Sequence, residues 1–230
     1  MKKLYTALLL VLLLCVTGTV VFLILAPDQV PMHYNLAGEA DRIGSKYENL
    51  LWPGLALLQS LFFVLMAKGA GKKGEKSNEK VLLITGVSVL AFFTFLGFYS
   101  MWTALHYDPA AVEVSYDDWN RFLNIGFGIL LVILGNIMPK VRRNSVFGLR
   151  TKWSLANDRV WQKSQRFGGF ASVAAGFLLV FLAFLVPGIW NSLALLAVIL
   201  VWLIVCVLAS RRYGLEDRKK QQKKEAGGAE

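Results

Sequence analysis

Two cysteines and two histidines in 230 residues leave little material for a disulfide framework or a metal centre. Cys15 and Cys206 both lie inside apolar runs, and nothing in the sequence pairs them. There is no His-Glu-x-x-His, no Gly-x-Ser-x-Gly and no Gly-x-x-x-x-Gly-Lys-Ser/Thr, so the usual signatures of zinc proteases, α/β-hydrolases and phosphate-binding loops are missing. Asp and Glu are absent from the apolar runs, whereas proton-coupled transporters usually keep ionisable groups at mid-membrane. These gaps point away from an enzyme and imply neither a cofactor nor a metal. Charge of either sign is scarce, at 17% of residues.

What fills the space is apolar sequence: 56% hydrophobic residues and a mean hydropathy of +0.51. Runs of roughly 20 apolar residues, each able to cross about 30 Å of hydrocarbon, predict an all-α polytopic membrane protein with six transmembrane helices. The expected spans are 4–26, 50–67, 81–106, 119–138, 169–186 and 191–209. Leu12-Leu13-Leu14-Cys15 faintly resembles a lipoprotein cleavage box, but Leu14 is bulky for such processing and the apolar run continues, so residues 1–26 read as an uncleaved first span.

Cations set the expected orientation. Of 25 Lys and Arg, 22 fall in the start, the 68–80 connector, the 139–167 segment and the tail; Arg42, Lys46 and Arg121 are the others. The positive-inside rule therefore predicts both termini cytoplasmic, with Trp52, Trp102, Trp119 and Trp190 as an outer aromatic belt. The +10 net charge serves topology on this reading and argues against direct nucleic-acid binding.

The expected organisation is an N-terminal membrane half at 1–106, an acidic outer connector at 107–118, a second membrane half at 119–209, and a charged tail at 210–230 read as disordered. The 68–80 connector reads as flexible, and Ser115 with Asp118 as a capping box for the fourth span. The outer loop, 27–49, is patterned enough for a small extracellular cap or hairpin. Turns are expected at 35–38 and 41–44, where Asn, Asp and Gly suit tight backbone. His33 and His106 both face outward; with Glu39, Asp41 or Asp108 they can supply a metal or proton-sensitive pair, although no spacing fixes a ligand set. Contact with an extracellular peptide is the other functional reading of this loop.

The basic inner loop, 139–167, holds Lys140, Arg142, Arg143, Arg150, Lys152, Arg159, Lys163 and Arg166 against one acid, Asp158. Interleaving with Trp153, Trp161 and Phe167 suits a headgroup interface, and Arg159, Lys163 and Arg166 share a helical face, which predicts a short helix lying parallel to the membrane. Arg142, Arg143 and Arg150 are candidates to hold lipid phosphates or to cap the ends of spans. Two readings stand side by side: cations that only fix topology, or a docking surface for lipid or protein. Gln59, Thr85, Ser88, Thr94 and Asn124, polar residues within the spans, read as helix–helix contacts.

One long pattern is more specific. Asn136-x-x-Pro139-Lys140-x-Arg142-x-Asn144-x-x-x-Gly148-x-Arg150-Thr151-x-Trp153-x-Leu155, then Val160-Trp161-x-Lys163 and Arg166-x-Gly168-Gly169, resembles the signature of the SdpI family of bacterial toxin-immunity membrane proteins. Pro31-x-His33-Tyr34-Asn35-x-x-Gly38-x-x-Asp41-x-x-Gly44-Ser45-Lys46 resembles the small domain of unknown function that often precedes it. The chain departs from the family pattern at Lys152, where Pro is usual, and at Gln165, where His is common. The resemblance implies a bacterial cytoplasmic-membrane protein that protects its cell from a secreted peptide toxin. It also implies signalling, by holding a small helix-turn-helix repressor at the membrane. On that basis Asn136, Pro139, Lys140, Arg142, Asn144, Gly148, Arg150, Thr151, Trp153, Trp161, Lys163 and Arg166 are the candidates for partner or lipid docking. Pro31, His33, Tyr34, Asn35, Gly38, Asp41, Gly44 and Lys46 are the candidates for toxin contact or cap structure. A transporter or lipid-handling protein is the alternative reading.

Overall fold

The computed structural model describes residues 1–34, 40–107, 116–144 and 146–227. Six helices, α1 (Lys2–Leu25), α2 (Leu51–Lys72), α3 (Lys76–Leu105), α4 (Tyr116–Ile137), α5 (Asp158–Leu185) and α6 (Gly188–Gly227), are each long and apolar enough to cross a membrane. Between α1 and α2 stands an antiparallel hairpin of two strands, β1 (Gln29–Tyr34) and β2 (Ala40–Ser45). The chain is thus a multi-pass membrane protein, and among the described residues this hairpin is its one sheet.

α1 and α2 both pack on α3, and α4 packs on α5 and α6. The two groups meet along α3 and α4. Phe92 rests edge-on against Phe127 (4.9 Å), and Tyr99 lies against Phe122 (4.4 Å) and Trp119 (5.4 Å). Leucines on the outside of the bundle, such as Leu10, Leu58 and Leu200, stay exposed because their solvent is hydrocarbon.

The tightest packing joins α4 to α5, and glycine is its cause. A Cβ on Gly135 would come within 2.6 Å of the Gly169 carbonyl oxygen, and one on Gly128 within 2.6 Å of that of Gly176. Two glycine pairs, seven residues apart on each helix, let the backbones touch, as small residues do where no hydrophobic effect drives helices together. Gln59 links α2 to the Gly86 carbonyl of α3, and Asn124 links α4 to the Asn191 carbonyl of α6 (2.9 Å). Those two polar residues are helix–helix contacts, as expected; Ser88 bonds within its own helix, to the Ile84 carbonyl.

Several expectations need correction. The stretch at 68–80 is no flexible connector, because α2 continues to Lys72 and α3 begins at Lys76. Gly74, at φ 75°, ends α2 while the Gly74 and Glu75 amides bond back to the Gly71 and Ala70 carbonyls, a glycine-dependent stop. Nor is the tail without structure through 227: α6 carries on as a helix, since Arg, Lys, Glu and Gln are good helix formers and the preceding span has already supplied a nucleus. Residues 41–44 form no turn; they lie within β2, because Ile43 and Gly44 pair across to Pro31 and Val30. The turn at 35–38 and the Ser115 capping box lie outside the described residues.

Candidate functional site

The two ends of the bundle differ in kind. At one, the hairpin covers the ends of α1 and α3, with Val30 buried among Phe22, Ala26, Met101 and Ala104 and with Met32 and Trp52 packed against them. Between Pro31 and Tyr34 the register slips, and the strand pair bends there. His33 Nδ1 meets Asp41 Oδ1 at 2.5 Å, out in the open. Lys46 reaches beneath the hairpin: its amine bonds the Ala26 carbonyl at 3.1 Å and faces Asp28 at 3.2 Å. A cation thus closes the negative end of α1, whose own last turn holds none. Ser45 and Glu48 form a reciprocal cap, and the Arg42 guanidinium beside Glu48 holds its carboxyl below the ordinary 4.5.

Of the candidates at this end, Pro31, His33, Asp41, Gly44 and Lys46 are brought together by the hairpin. Tyr34 closes β1, while Asn35 and Gly38 lie outside the described residues. His106 is engaged elsewhere, bonding the Trp102 carbonyl at 2.8 Å. Among the described residues no three His, Cys, Asp or Glu side chains gather as metal ligands would.

At the other end lies the basic segment, with the chain's start beside it, since Leu4 and Tyr5 pack near Phe147. Short polar side chains fold this segment into a fixed platform. Asn144 accepts from the Val146 and Phe147 amides (2.7 and 2.8 Å) and donates to the Arg142 carbonyl (2.8 Å), which turns the chain back on itself. Gly148, at φ 110°, lies where a side chain would collide with the Gln165 carboxamide. That carboxamide accepts from the Leu149 amide (2.9 Å) and donates to the Leu149 carbonyl (3.0 Å), standing in for a strand partner. Ser154 and Thr151 exchange hydrogen bonds, and Thr151 also meets Ser210 of α6 at 2.6 Å. Asn157 caps α5 through the Val160 amide and donates to Asp217 at 2.8 Å, tying the extension of α6 to the platform.

Trp161 is the anchor. It is 1% exposed and its indole donates to the Val141 carbonyl at 2.8 Å, within a cluster of Val81, Ile137 and Val141. The expected interfacial position for this ring is therefore wrong. So is the short helix parallel to the membrane: residues 158–167 are the first turns of α5, continuous with its span. Burial of Trp161, Ser164, Gln165 and Gly168 along one face explains why, because those turns must pack against the platform. Arg143 does not cap a span either; it bonds the Leu155 carbonyl and Asp158 (3.0 Å) and closes the loop onto α5.

The long motif therefore divides into two kinds of residue. Pro139, Asn144, Gly148, Thr151 and Trp161 build the platform, as does Trp153, whose ring packs where Gly214 of α6 has no side chain. Asn136 bonds within α4, to the Val132 carbonyl. Lys140, Arg142, Arg150, Lys163 and Arg166 are exposed on it, Lys163 over the Tyr213 ring at 5.9 Å. Lys140, Arg142 and Arg166 line a single cleft of about 740 Å³, floored by Trp161.

Sequence reasoning missed Asn78, which accepts from the Arg142 amide at 3.0 Å, because it lay in the presumed flexible connector. Ser210, Gly214, Asp217 and Gln221 were lost in the presumed disordered tail. Their spacing of four, three and four residues puts them on one helical face, and that was the legible signal.

Residues 140–210 match the model of the SdpI/YfhL protein family, and residues 8–57 match that of a domain of unknown function (DUF1648). The chain is 26% identical over 213 residues to Immunity protein SdpI of Bacillus subtilis (strain 168), an alignment covering 93% of this chain and 96% of that protein. It is also 26% identical over 90 residues to Uncharacterized protein YfhL of the same organism, covering 38% of this chain and 82% of that protein. No solved structure matches the chain.

Proposed function

We propose that this multi-pass bacterial membrane protein, which matches the SdpI/YfhL family, is an immunity protein that makes its cell resistant to a secreted peptide toxin. The observation that carries this reading is the alignment with Immunity protein SdpI, which runs through both ends of the bundle and not through one motif alone. On the positive-inside rule the cationic end and both termini are cytoplasmic, which leaves the hairpin to meet a peptide arriving from outside. The platform supports a second role. Exposed cations on a rigid base suit an acidic face on a small cytoplasmic repressor, so toxin binding at one end can be signalled by capture at the other.

Expression in a toxin-sensitive host, followed by challenge with a panel of secreted peptides, tests the first role. Survival against at least one peptide, absent from cells with the empty vector, is expected. Death at the same doses in cells whose membranes hold the chain would refute immunity. For the second role, a double Arg150→Ala and Lys163→Ala variant, two exposed cations outside the cleft, should insert normally yet lose membrane capture of the repressor. Normal capture by that variant removes the docking role.

A further inference from the structure

Four cations, Lys140, Arg142, Arg143 and Arg166, line the cleft against two carboxylates, Glu75 and Asp158, an excess of two positive charges. Asp158 pairs with Arg143, Glu75 accepts from the neutral Asn78 carboxamide, and among the described residues Lys140, Arg142 and Arg166 form no salt bridge. Like charges held together around about 740 Å³ favour an anionic occupant. The depth of the cleft narrows the choice. Pro139 stands two residues past the end of α4, in the short 3-10 turn Met138–Lys140, and Arg166 stands two residues before Gly168, where the apolar part of α5 begins. At 1.5 Å per residue both lie within about one helical turn of the hydrocarbon edge, at the level of lipid phosphates.

A second observation comes from the side of α5 below the cleft. Phe170, Phe177, Phe181 and Phe184 are 73, 64, 61 and 66% exposed. At 100° per residue all four fall within about 60° of Arg166, so a row of bare phenyl rings descends from a phosphate-binding guanidinium along the length of the span. A soluble anion or an acidic protein surface has no use for such a row; an acyl chain does.

We propose that the cleft is a headgroup site for an anionic phospholipid of the adjoining leaflet. Arg142, Arg166 and Lys140 surround the phosphate, and one acyl chain lies along the phenylalanine row. Bidentate guanidinium contacts suit a phosphodiester, and the lipid supplies the charge that this end of the fold leaves unmatched.

The test is native mass spectrometry of the full chain released from micelles containing phosphatidylglycerol or phosphatidylcholine. Phosphatidylglycerol should be retained at least about tenfold better, since each cation near the surface favours an anionic lipid by roughly fivefold. Arg142→Gln with Arg166→Gln should weaken retention about 30-fold, as expected for two such cations. Arg142→Lys with Arg166→Lys should keep most of it. Lys72→Gln with Lys73→Gln removes equal charge at the same end and should leave retention within about twofold, because those lysines lie outside the cleft. Phe170→Ala with Phe177→Ala should also weaken retention. The proposal is overturned if the two lipids bind alike, if both Gln pairs weaken binding equally, if the Ala pair changes nothing, or if equimolar inorganic phosphate displaces the lipid.

Discussion

The contact between Gly148 and Gln165 offers the sharpest check on the claim that the basic segment is a rigid platform. Gln165 is wholly buried and supplies both a donor and an acceptor to Leu149. Gln165→Ala leaves the Leu149 carbonyl to Ser154 but strands the Leu149 amide, at a cost of about 1–3 kcal/mol. Gly148→Ala carries two penalties: a left-handed backbone at φ 110°, worth about 1–3 kcal/mol, and a methyl group in the space of the carboxamide. Once Gln165 is gone, the second penalty disappears. The double variant should therefore be less damaged than the sum of the singles by about 1–3 kcal/mol, a coupling typical of residues in contact. Hydrogen exchange of peptides spanning 146–155 measures this locally, even where global unfolding in detergent is irreversible. Each single variant should exchange faster by at least about tenfold, the equivalent of 1.4 kcal/mol. Additive costs, or an exchange rate at Leu149 that ignores Gln165, would refute the platform.

Elsewhere, Gly135→Val should separate α4 from α5, because no Cβ fits 2.6 Å from the Gly169 carbonyl; a fall of several degrees or more in apparent Tm by size-exclusion thermostability is expected, and an unchanged Tm contradicts the packing. Lys46→Met removes the cation that closes α1 and should raise protease cleavage within 27–49 several-fold without loss of insertion. At the same hairpin, carbon-detected titration of Glu48 should find its midpoint below 4.5, returning toward the ordinary value in Arg42→Gln. Because the folded carboxyl is depressed, its pairing supports the hairpin above the ordinary carboxylate range and is lost as pH falls through the lowered midpoint. Asp217→Leu should release the α6 extension from Asn157 and Arg159, so trypsin should cut at 218–224 faster while the six spans stay intact.

Much of the architecture was legible because hydrocarbon imposes a simple rule: a run of about 20 apolar residues has to be a helix, since no water is present to satisfy its backbone. Leu4, Trp119 and Asn191 were each placed within three residues of an observed helix start. The hairpin was legible in outline from 27–49, but its register was not, since Asp41 and Gly44 are residue types that favour turns yet lie in a strand held by cross-strand pairs. The errors cluster where polar sequence folds without apolar periodicity. Asn78, Trp161 and Asp217 acquire their roles from partners more than 15 residues away, and no local pattern announces such pairings.

Sequence alone therefore determined the six spans and the cation asymmetry, because both follow from how each residue partitions between water, headgroups and hydrocarbon. Tertiary structure alone decided which motif residues build and which present: Gln165 against Gly148, Trp161 under Val141 and Asp217 against Asn157 are meetings of distant segments. Partitioning is a property of one residue and its neighbours in the chain, whereas a buried hydrogen bond is a property of a pair, defined only once the backbone has brought both members together.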